Sequence, residues 1–241
     1  MRAIALAILL SLTPARALGF GVAPAETVLI ASPGVRIPAG ITVFSPDPLP
    51  LRARLVDWRI HPDGEVELLP PASLPRSLAP YLELRERRLV PRPEARLNLT
   101  LRLPPGAEGS YHAALLLVPD LPPGPAGPGL ALDVQAAILH PIYARVPGTA
   151  RPELRLAEAR IAGDGLRALL ENRGNVYLKV RAWLTALAPD GAIVREALVL
   201  EDVLFPGASR QLEAELPPEA GAVRLVVEAP GAGRLLWEAG R

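Results

Sequence analysis

The fold of this chain is decided by residues 130–143, which read LALDVQAAILHPIY. Apolar side chains fall at every second position, which is the period of a β-strand with one apolar face. These side chains belong to Leu130, Leu132, Val134, Ala136 and Ile138. Proline has no N–H to donate and holds the preceding residue extended, so Pro141 is predicted to end the strand. The stretch therefore predicts a long strand that runs into a hinge at Pro141 and Tyr143, as in a protein that presents a strand.

The same alternation recurs on both sides of this stretch, as in Leu97–Leu103 and Val176–Leu187. The 29 prolines and 20 glycines of the 241 residues separate these runs, and such punctuation favours many short strands over long helices. We predict an all-β protein with two antiparallel β-sandwiches, residues 18–145 and 146–241, joined near Pro141–Arg151. A helix at Tyr81–Leu89, which is rich in Leu, Glu and Arg, is the alternative for that one segment.

The N-terminal 17 residues are typical of a secretory signal peptide. Arg2 supplies the positive start, Ala3–Leu12 the apolar stretch, and Ala15-Arg16-Ala17 a small-x-small cleavage site. A membrane anchor is the alternative, but a spanning helix needs about 20 apolar residues and this run is shorter. We expect export and cleavage near Leu18.

Composition argues against several kinds of function. The chain has 26 basic and 25 acidic residues and no cysteine, so neither bulk attraction to nucleic acid nor a disulfide or thiolate metal site is implied. The three histidines are scattered over different predicted strands and turns, the two i,i+2 carboxylate pairs each lie on one face of a predicted strand, and neither set shows metal-ligand spacing or a nucleophile motif. They are His61, His112 and His140, with Glu65/Glu67 and Glu213/Glu215. We predict no catalytic residues, no metal and no cofactor, so the protein is not expected to be an enzyme.

The order of these features resembles the periplasmic chaperones of pilus assembly, across roughly Gly21–Glu228. Six features in the same order carry the resemblance. The first three are a short first strand, a strand entered through prolines, and a later strand that begins with Gly-Ser-Tyr. The last three are an alternating strand that meets a proline and an aromatic residue, an apolar-Asn-x-Gly-Asn segment, and a late apolar-Pro-Gly step. The matching segments are Val28–Ile30, Pro91–Leu103, Gly109–Tyr111, Val134–Tyr143, Leu169–Asn175 and Leu204–Gly207.

The resemblance implies two immunoglobulin-like domains and a function. Chaperones of this family hold an incomplete pilin subunit by adding a strand of the first domain to the subunit's open groove, so that backbone bonds supply affinity and alternate side chains fill pockets. The donated face would be Leu130, Leu132, Val134, Ala136 and Ile138. The implied partners are pilin-like or surface-fibre subunits, with an outer-membrane usher as a further partner. The implied state is a periplasmic protein, monomeric when free.

This chain departs from the family at its basic anchor residues. The family holds the subunit's terminal carboxylate with one basic residue in the first strand and one late in the donor strand. Here the donor position is Ala136, or Gln135 if shifted by one, and Ala23–Ile30 contains no Arg or Lys. We therefore expect a divergent member. Two alternatives stay open: an exported structural or adhesive β-sandwich of the cell envelope, and a strand whose apolar face packs the first domain's own core.

Overall fold

The computed structural model describes residues 19–120 and 136–240, and within them the protein is built from β-strands with one 3₁₀ turn at Ala79–Tyr81. Ten strands precede residue 146: β1 Gly21–Ala23, β2 Thr27–Ile30, β3 Ile37–Phe44, β4 Leu51–Ile60, β5 Val66–Leu69, β6 Leu82–Leu84, β7 Arg88–Leu89, β8 Glu94–Leu101, β9 Ser110–Pro119 and β10 Ile138–Arg145. Seven follow: β11 Leu154–Ala162, β12 Gly165–Asn172, β13 Leu178–Leu187, β14 Ile193–Leu204, β15 Ser209–Glu215, β16 Ala222–Ala229 and β17 Gly233–Gly240. The predicted all-β architecture of two sandwiches is confirmed.

The first ten strands form two sheets that face each other. One sheet has the order β1-β3-β8-β6, and the other has the order β2-β10-β9-β4-β5, with β7 also paired to β4. Their facing side chains make a core of Leu, Ile, Val and Ala, which includes Leu97, Leu99 and Leu101 from the strand with the clearest alternation. Because only one residue in 25 is aromatic, this core is aliphatic.

The chain enters the first sandwich by crossing between its two sheets. β1 pairs antiparallel with β3 in one sheet, and β2, three residues later, pairs parallel with β10 in the other. Every other strand pair is antiparallel among the residues that the structure describes. β10 therefore lies between β9, along its full length, and β2, along its second half.

The last seven strands form the second sandwich, from a three-stranded sheet β11-β12-β15 and a four-stranded sheet β14-β13-β16-β17. Its core is again aliphatic, with alternate residues of β13 such as Val180, Ala182 and Leu184 facing inward. Residues 146–153 connect the two sandwiches. No helix in the described ranges combines the length and the apolar character needed to span a bilayer.

The structure decides one open alternative and corrects one prediction. Tyr81–Leu89 is not a helix: after the 3₁₀ turn it forms β6 and β7, because pairing with β8 and β4 overrides the helical propensity of its Leu, Glu and Arg residues. Pro141 does not end its strand either. It lies within β10 opposite Ala114, and Tyr143 lies opposite His112, so both precede the connecting segment.

The direction of backbone groups explains why β10 tolerates a proline. The carbonyl of Arg145 accepts from the N–H of Ala31 on the β2 side, and the N–H of Val146 donates to Gly109 on the β9 side. Alternate residues point their backbone groups the same way, so Pro141 faces the β2 side. Pairing with β2 begins only at Ile142, so the N–H that proline lacks has no strand partner to lose.

Candidate functional site

The predicted donor segment is only partly within the described residues. Leu130, Leu132 and Val134 lie outside them, as does the predicted signal peptide. Ala136 is exposed, and Ile138 opens β10 opposite Leu117, half-buried against the first core. Ile138 therefore lies on the side of β10 that faces the interior of the sandwich.

β10 begins with an edge that has no strand partner among the described residues. From Ile138 to Pro141 the strand pairs with β9 on one side, while β2 joins the other side only at Ile142. By the alternation described above, Leu139 directs its N–H and C=O to this unpaired side, as does Ala137 directly before the strand. We name residues 137–141 the open edge. Unpaired N–H and C=O groups in a row are a ready template for another strand.

A buried hydrogen bond marks the end of the open edge. Thr27 Oγ1, at the start of β2, lies 2.9 Å from Nε2 of His140. Both residues are buried, and burial lowers the pKa of His140 while the carboxylate of Glu26 opposes this shift. Glu26 in turn forms an ion pair of 2.5 Å with Lys179 of β13 in the second sandwich. The open edge thus ends at a contact between the two sandwiches.

Aromatic side chains fill the interface between the sandwiches. Phe205 of the second sandwich stacks on His112 at 3.7 Å between ring centroids and meets Trp58 edge-on at 5.0 Å. Tyr143 of β10 stacks on Tyr177 at 4.4 Å. Burial lowers the pKa of His112 to about 4, so its ring is neutral at pH 7 while its Nε2 lies 3.2 Å from the carbonyl oxygen of Trp58. β10 is therefore held from behind by the second sandwich.

Asn175 and Ser110 lock this interface with hydrogen bonds. The N–H of Ser110 donates to the carbonyl of Asn175 at 2.9 Å, and Ser110 Oγ accepts from the N–H of Tyr177 at 2.8 Å. The side chain of Asn175 accepts from the N–H of Arg151 and donates to the carbonyl of Thr149, so it holds the connecting segment as well. Sequence reasoning missed this role, although the Asn172-Arg173-Gly174-Asn175 turn was the available signal.

Gly109 is required at this junction. Its φ is +71°, which favours glycine, and a Cβ there would run into the backbone of Asn175. Its N–H donates to Thr149 Oγ1 at 2.7 Å. The two sandwiches are thus in backbone contact at the start of β9, so the connecting segment is bonded at both ends.

The other histidines and carboxylates singled out in the sequence form local contacts. His61 and Arg59 both contact Glu67, at 2.9 and 2.6 Å, and these hydrogen bonds, that of Arg59 foremost, hold the pKa of Glu67 below its usual value. Glu213 pairs with Arg167 across β12 and β15. His61, His112 and His140 lie on different elements, and the described ranges contain no group of three metal-ligating side chains.

Comparison with known proteins supports the fold. No protein-family model matches the chain, and no curated protein matches it. The class 5 fimbriae chaperone CfaA has a similar structure, with TM-score 0.53, 12% identity, and coverage of 92% of this chain and 100% of that one. A chain of the chaperone–tip adhesin complex of CFA/I fimbriae biogenesis has a TM-score of 0.53 and 12% identity, with 91% of this chain and 98% of that one covered. A chain of the Salmonella enterica SafA pilin–SafB chaperone complex has a TM-score of 0.50 and 14% identity, with 94% of this chain and 98% of that one covered.

These likenesses extend over both sandwiches and nearly the whole length of each compared chain. The predicted resemblance to pilus-assembly chaperones is thereby confirmed in the fold. At identities of 12–14% it is the fold that they share, and the function has to be argued from the site.

Proposed function

We propose that this protein is a chaperone-like assembly factor of the periplasm that binds pilin-like or surface-fibre subunits by β-strand donation, without enzymatic activity. The observation that carries the proposal is the open edge of β10. It is continuous with the apolar alternation at residues 130–138, and it belongs to a fold shared with fimbrial chaperones. A partner strand added there gains main-chain hydrogen bonds and places its side chains beside those of Ile138 and its neighbours.

The rest of the molecule suits this role. β9 pairs with the edge of β10 opposite the open edge, and the second sandwich packs on β10 through Tyr143. The open edge is therefore held in place before a partner binds. A rigid edge saves the partner the entropy of ordering it. On the same basis we propose an outer-membrane usher as a further partner. We expect the free protein to be a monomer in solution.

Leu139→Pro tests the proposal at the backbone. The substitution removes the N–H that Leu139 directs to the open edge and leaves the bonds to β9 in place. The matched control is Leu139→Val, which keeps the N–H and the strand propensity. In the native host, a photo-crosslinker at Ala137 should trap an envelope subunit that mass spectrometry identifies. With that subunit purified, Leu139→Pro should lower the affinity at least about tenfold, as expected for the loss of a hydrogen bond and its neighbours.

Two results would count against strand donation. One is a Leu139→Pro protein that stays folded and binds the trapped subunit as tightly as Leu139→Val does. The other is the absence of any subunit at Ala137 in a host that expresses the protein in its envelope. A stable surface polymer of this chain itself would instead favour the structural role.

A further inference from the structure

An apolar row crosses the outer face of the four-stranded sheet in the second sandwich. Leu198 of β14 lies opposite Trp183 of β13, Trp183 opposite Val226 of β16, and Val226 opposite Leu236 of β17. The residues on both sides of Trp183, Val226 and Leu236 pack into the core, as does Val199 beside Leu198, so these four point outward. Val226, in the middle of the row, is 7% exposed. Leu198 and Leu236 are 47% and 61% exposed. We name these four residues the outer row.

The outer row is continuous with a concave corner between the sandwiches. This corner has a volume of about 550 Å³ and extends from Trp183 along β13 and β14 to Glu26 of the first sandwich. Glu26 directly precedes β2, and its carboxylate lies near two side chains of β10. It opposes the burial that lowers the pKa of His140 and adds to the burial that raises the pKa of Tyr143. A strand added at the open edge lies in line with β2 and ends against Glu26. A partner bound there therefore comes close to Glu26, which lines this corner.

Every charged side chain that lines the corner already has an ion-pair partner within the chain. Lys179 pairs with Glu26 at 2.5 Å and Arg181 with Glu201 at 2.7 Å. The remaining two carboxylates pair with arginines at the rim, Asp202 with Arg210 at 2.9 Å and Glu228 with Arg234 at 3.4 Å. The corner thus offers a partner no free charge. What it does offer is the half-buried ring of Trp183, beside which the exposed side chain of Leu198 continues the outer row away from the corner.

We infer that the subunit held at the open edge makes a second contact with the outer row, where an apolar or aromatic side chain of the subunit packs on Trp183. This inference rests on the proposed function. A half-buried tryptophan in a concave surface with a polar rim has the character of an interface anchor. The partner is therefore a folded subunit that presents an apolar patch beside the strand that takes the open edge. The contact depends on apolar burial, and it is insensitive to salt because the charges around it are paired within the chain.

Photo-crosslinking in the native host separates this inference from the proposed function. One variant carries p-benzoylphenylalanine at Ala137, a second carries it at Leu198, and a control carries it at Arg155, an exposed residue of the opposite sheet. We expect Ala137 and Leu198 to trap the same subunit, identified by mass spectrometry, and Arg155 to trap none. Trapping at Ala137 without Leu198 overturns the inference and leaves strand donation standing. Trapping at neither position, or at Leu198 alone, overturns both.

Affinity measurements with the purified subunit test the chemistry of the contact. Trp183→Ala should weaken binding at least about tenfold, and Trp183→Phe should restore most of the affinity. The affinity of the wild-type protein should change less than about twofold between 50 and 500 mM NaCl. If Trp183→Ala lowers the thermal midpoint of the free protein, Leu198→Ala, at an exposed position, replaces it as the test. Full affinity of these variants, or a loss of tenfold or more with salt, overturns the apolar contact.

Discussion

Asn175 shows how much a single buried amide does in this protein. Its side chain satisfies the N–H of Arg151 at 2.7 Å and the carbonyl of Thr149 at 2.9 Å, and its own carbonyl accepts from Ser110. These bonds join the connecting segment to the start of β9. One residue thus fixes the backbone of both sandwiches where they meet.

Asn175→Ala is expected to destabilise the protein by about 1 kcal/mol or more, because it leaves partly buried backbone groups without their partners. Arg173→Ala is the matched control, since that side chain is exposed and its salt bridge is worth less than about 1 kcal/mol. The free energy of unfolding in urea measures both. Equal stability of the two variants would show that solvent replaces the amide at this site.

His112 makes stability depend on pH. Its pKa is about 4 in the folded protein and 6.5 in the unfolded chain. Between these values the unfolded chain binds more protons, so the free energy of unfolding decreases as the pH falls from 6.5 towards 4. The contribution is complete above pH 6.5 and amounts to about 3 kcal/mol. His140, whose pKa burial also lowers, adds a loss of the same sign.

His112→Phe keeps a ring against Phe205 and cannot be protonated. We expect the variant to lose less stability than the wild type between pH 6.5 and 4, with the His140 contribution remaining. Thermal midpoints across this range provide the measurement. A variant whose pH dependence matches that of the wild type would locate the titrating group elsewhere.

At the scale of elements, β10 differs on its two sides. Even-numbered residues such as Ala144 direct their N–H to β9, and odd-numbered residues direct theirs to β2 or to the open edge. Pro141 is tolerated because it lies on the second side. The position of a proline within this strand therefore decides whether a ladder bond is lost.

Two alanine-to-proline substitutions test this difference. Ala144→Pro removes a bond to β9 within the sheet and leaves the facing carbonyl without its donor, so it should cost about 1–3 kcal/mol or more. Ala137→Pro, on the side of the open edge, should change the free energy of unfolding by less than about 1 kcal/mol, because no bond is lost. Equilibrium denaturation gives both values. Comparable losses at the two positions would contradict the assignment of backbone directions.

The strands that could be predicted from the sequence are those with one buried face. Leu97–Leu103 alternates without interruption, and the structure has β8 at Glu94–Leu101. β3 was missed because Pro38 and Gly40 lower its strand propensity, and pairing with β1 and β8 supplies what the sequence lacks. β17 was missed because Leu235, Leu236 and Trp237 are consecutive and hide the alternation.

The candidate site was predicted only in part for a related reason. Alternation indicated the face that contains Ala136 and Ile138, whereas the prediction that Pro141 ends the strand was wrong. The partners of that strand depend on residues far away in the sequence. Glu26 meets Lys179 across 153 positions, and Thr27 meets His140 across 113. Neither contact leaves a local pattern, so neither could be predicted before the fold was known.

At the scale of the whole molecule, the two sandwiches share one aromatic interface. Phe205 contacts both Trp58 and His112, and Tyr143 contacts Tyr177. A large hydrophobic interface restrains the relative motion of the domains that it joins. We expect the wild-type protein to unfold in a single calorimetric transition.

Phe205→Ala should separate this transition into two. Removing a buried phenylalanine costs about 3–5 kcal/mol, and here the loss falls on the contact between the sandwiches. Ile193→Ala, at a position 62% exposed on β14, is the control and should leave one transition. Scanning calorimetry distinguishes these results. A single transition in Phe205→Ala, merely shifted to lower temperature, would show that the backbone bonds alone keep the sandwiches coupled.

The proline in β10 also sets a boundary for any strand added at the open edge. A strand added at the open edge accepts hydrogen bonds from the N–H groups of Ala137 and Leu139. It then meets Pro141, which has no N–H to donate, and beyond it the first residue of β2. It cannot slide forward by two residues without forfeiting a bond. Pro141 thus fixes the register of an added strand at this end of the open edge.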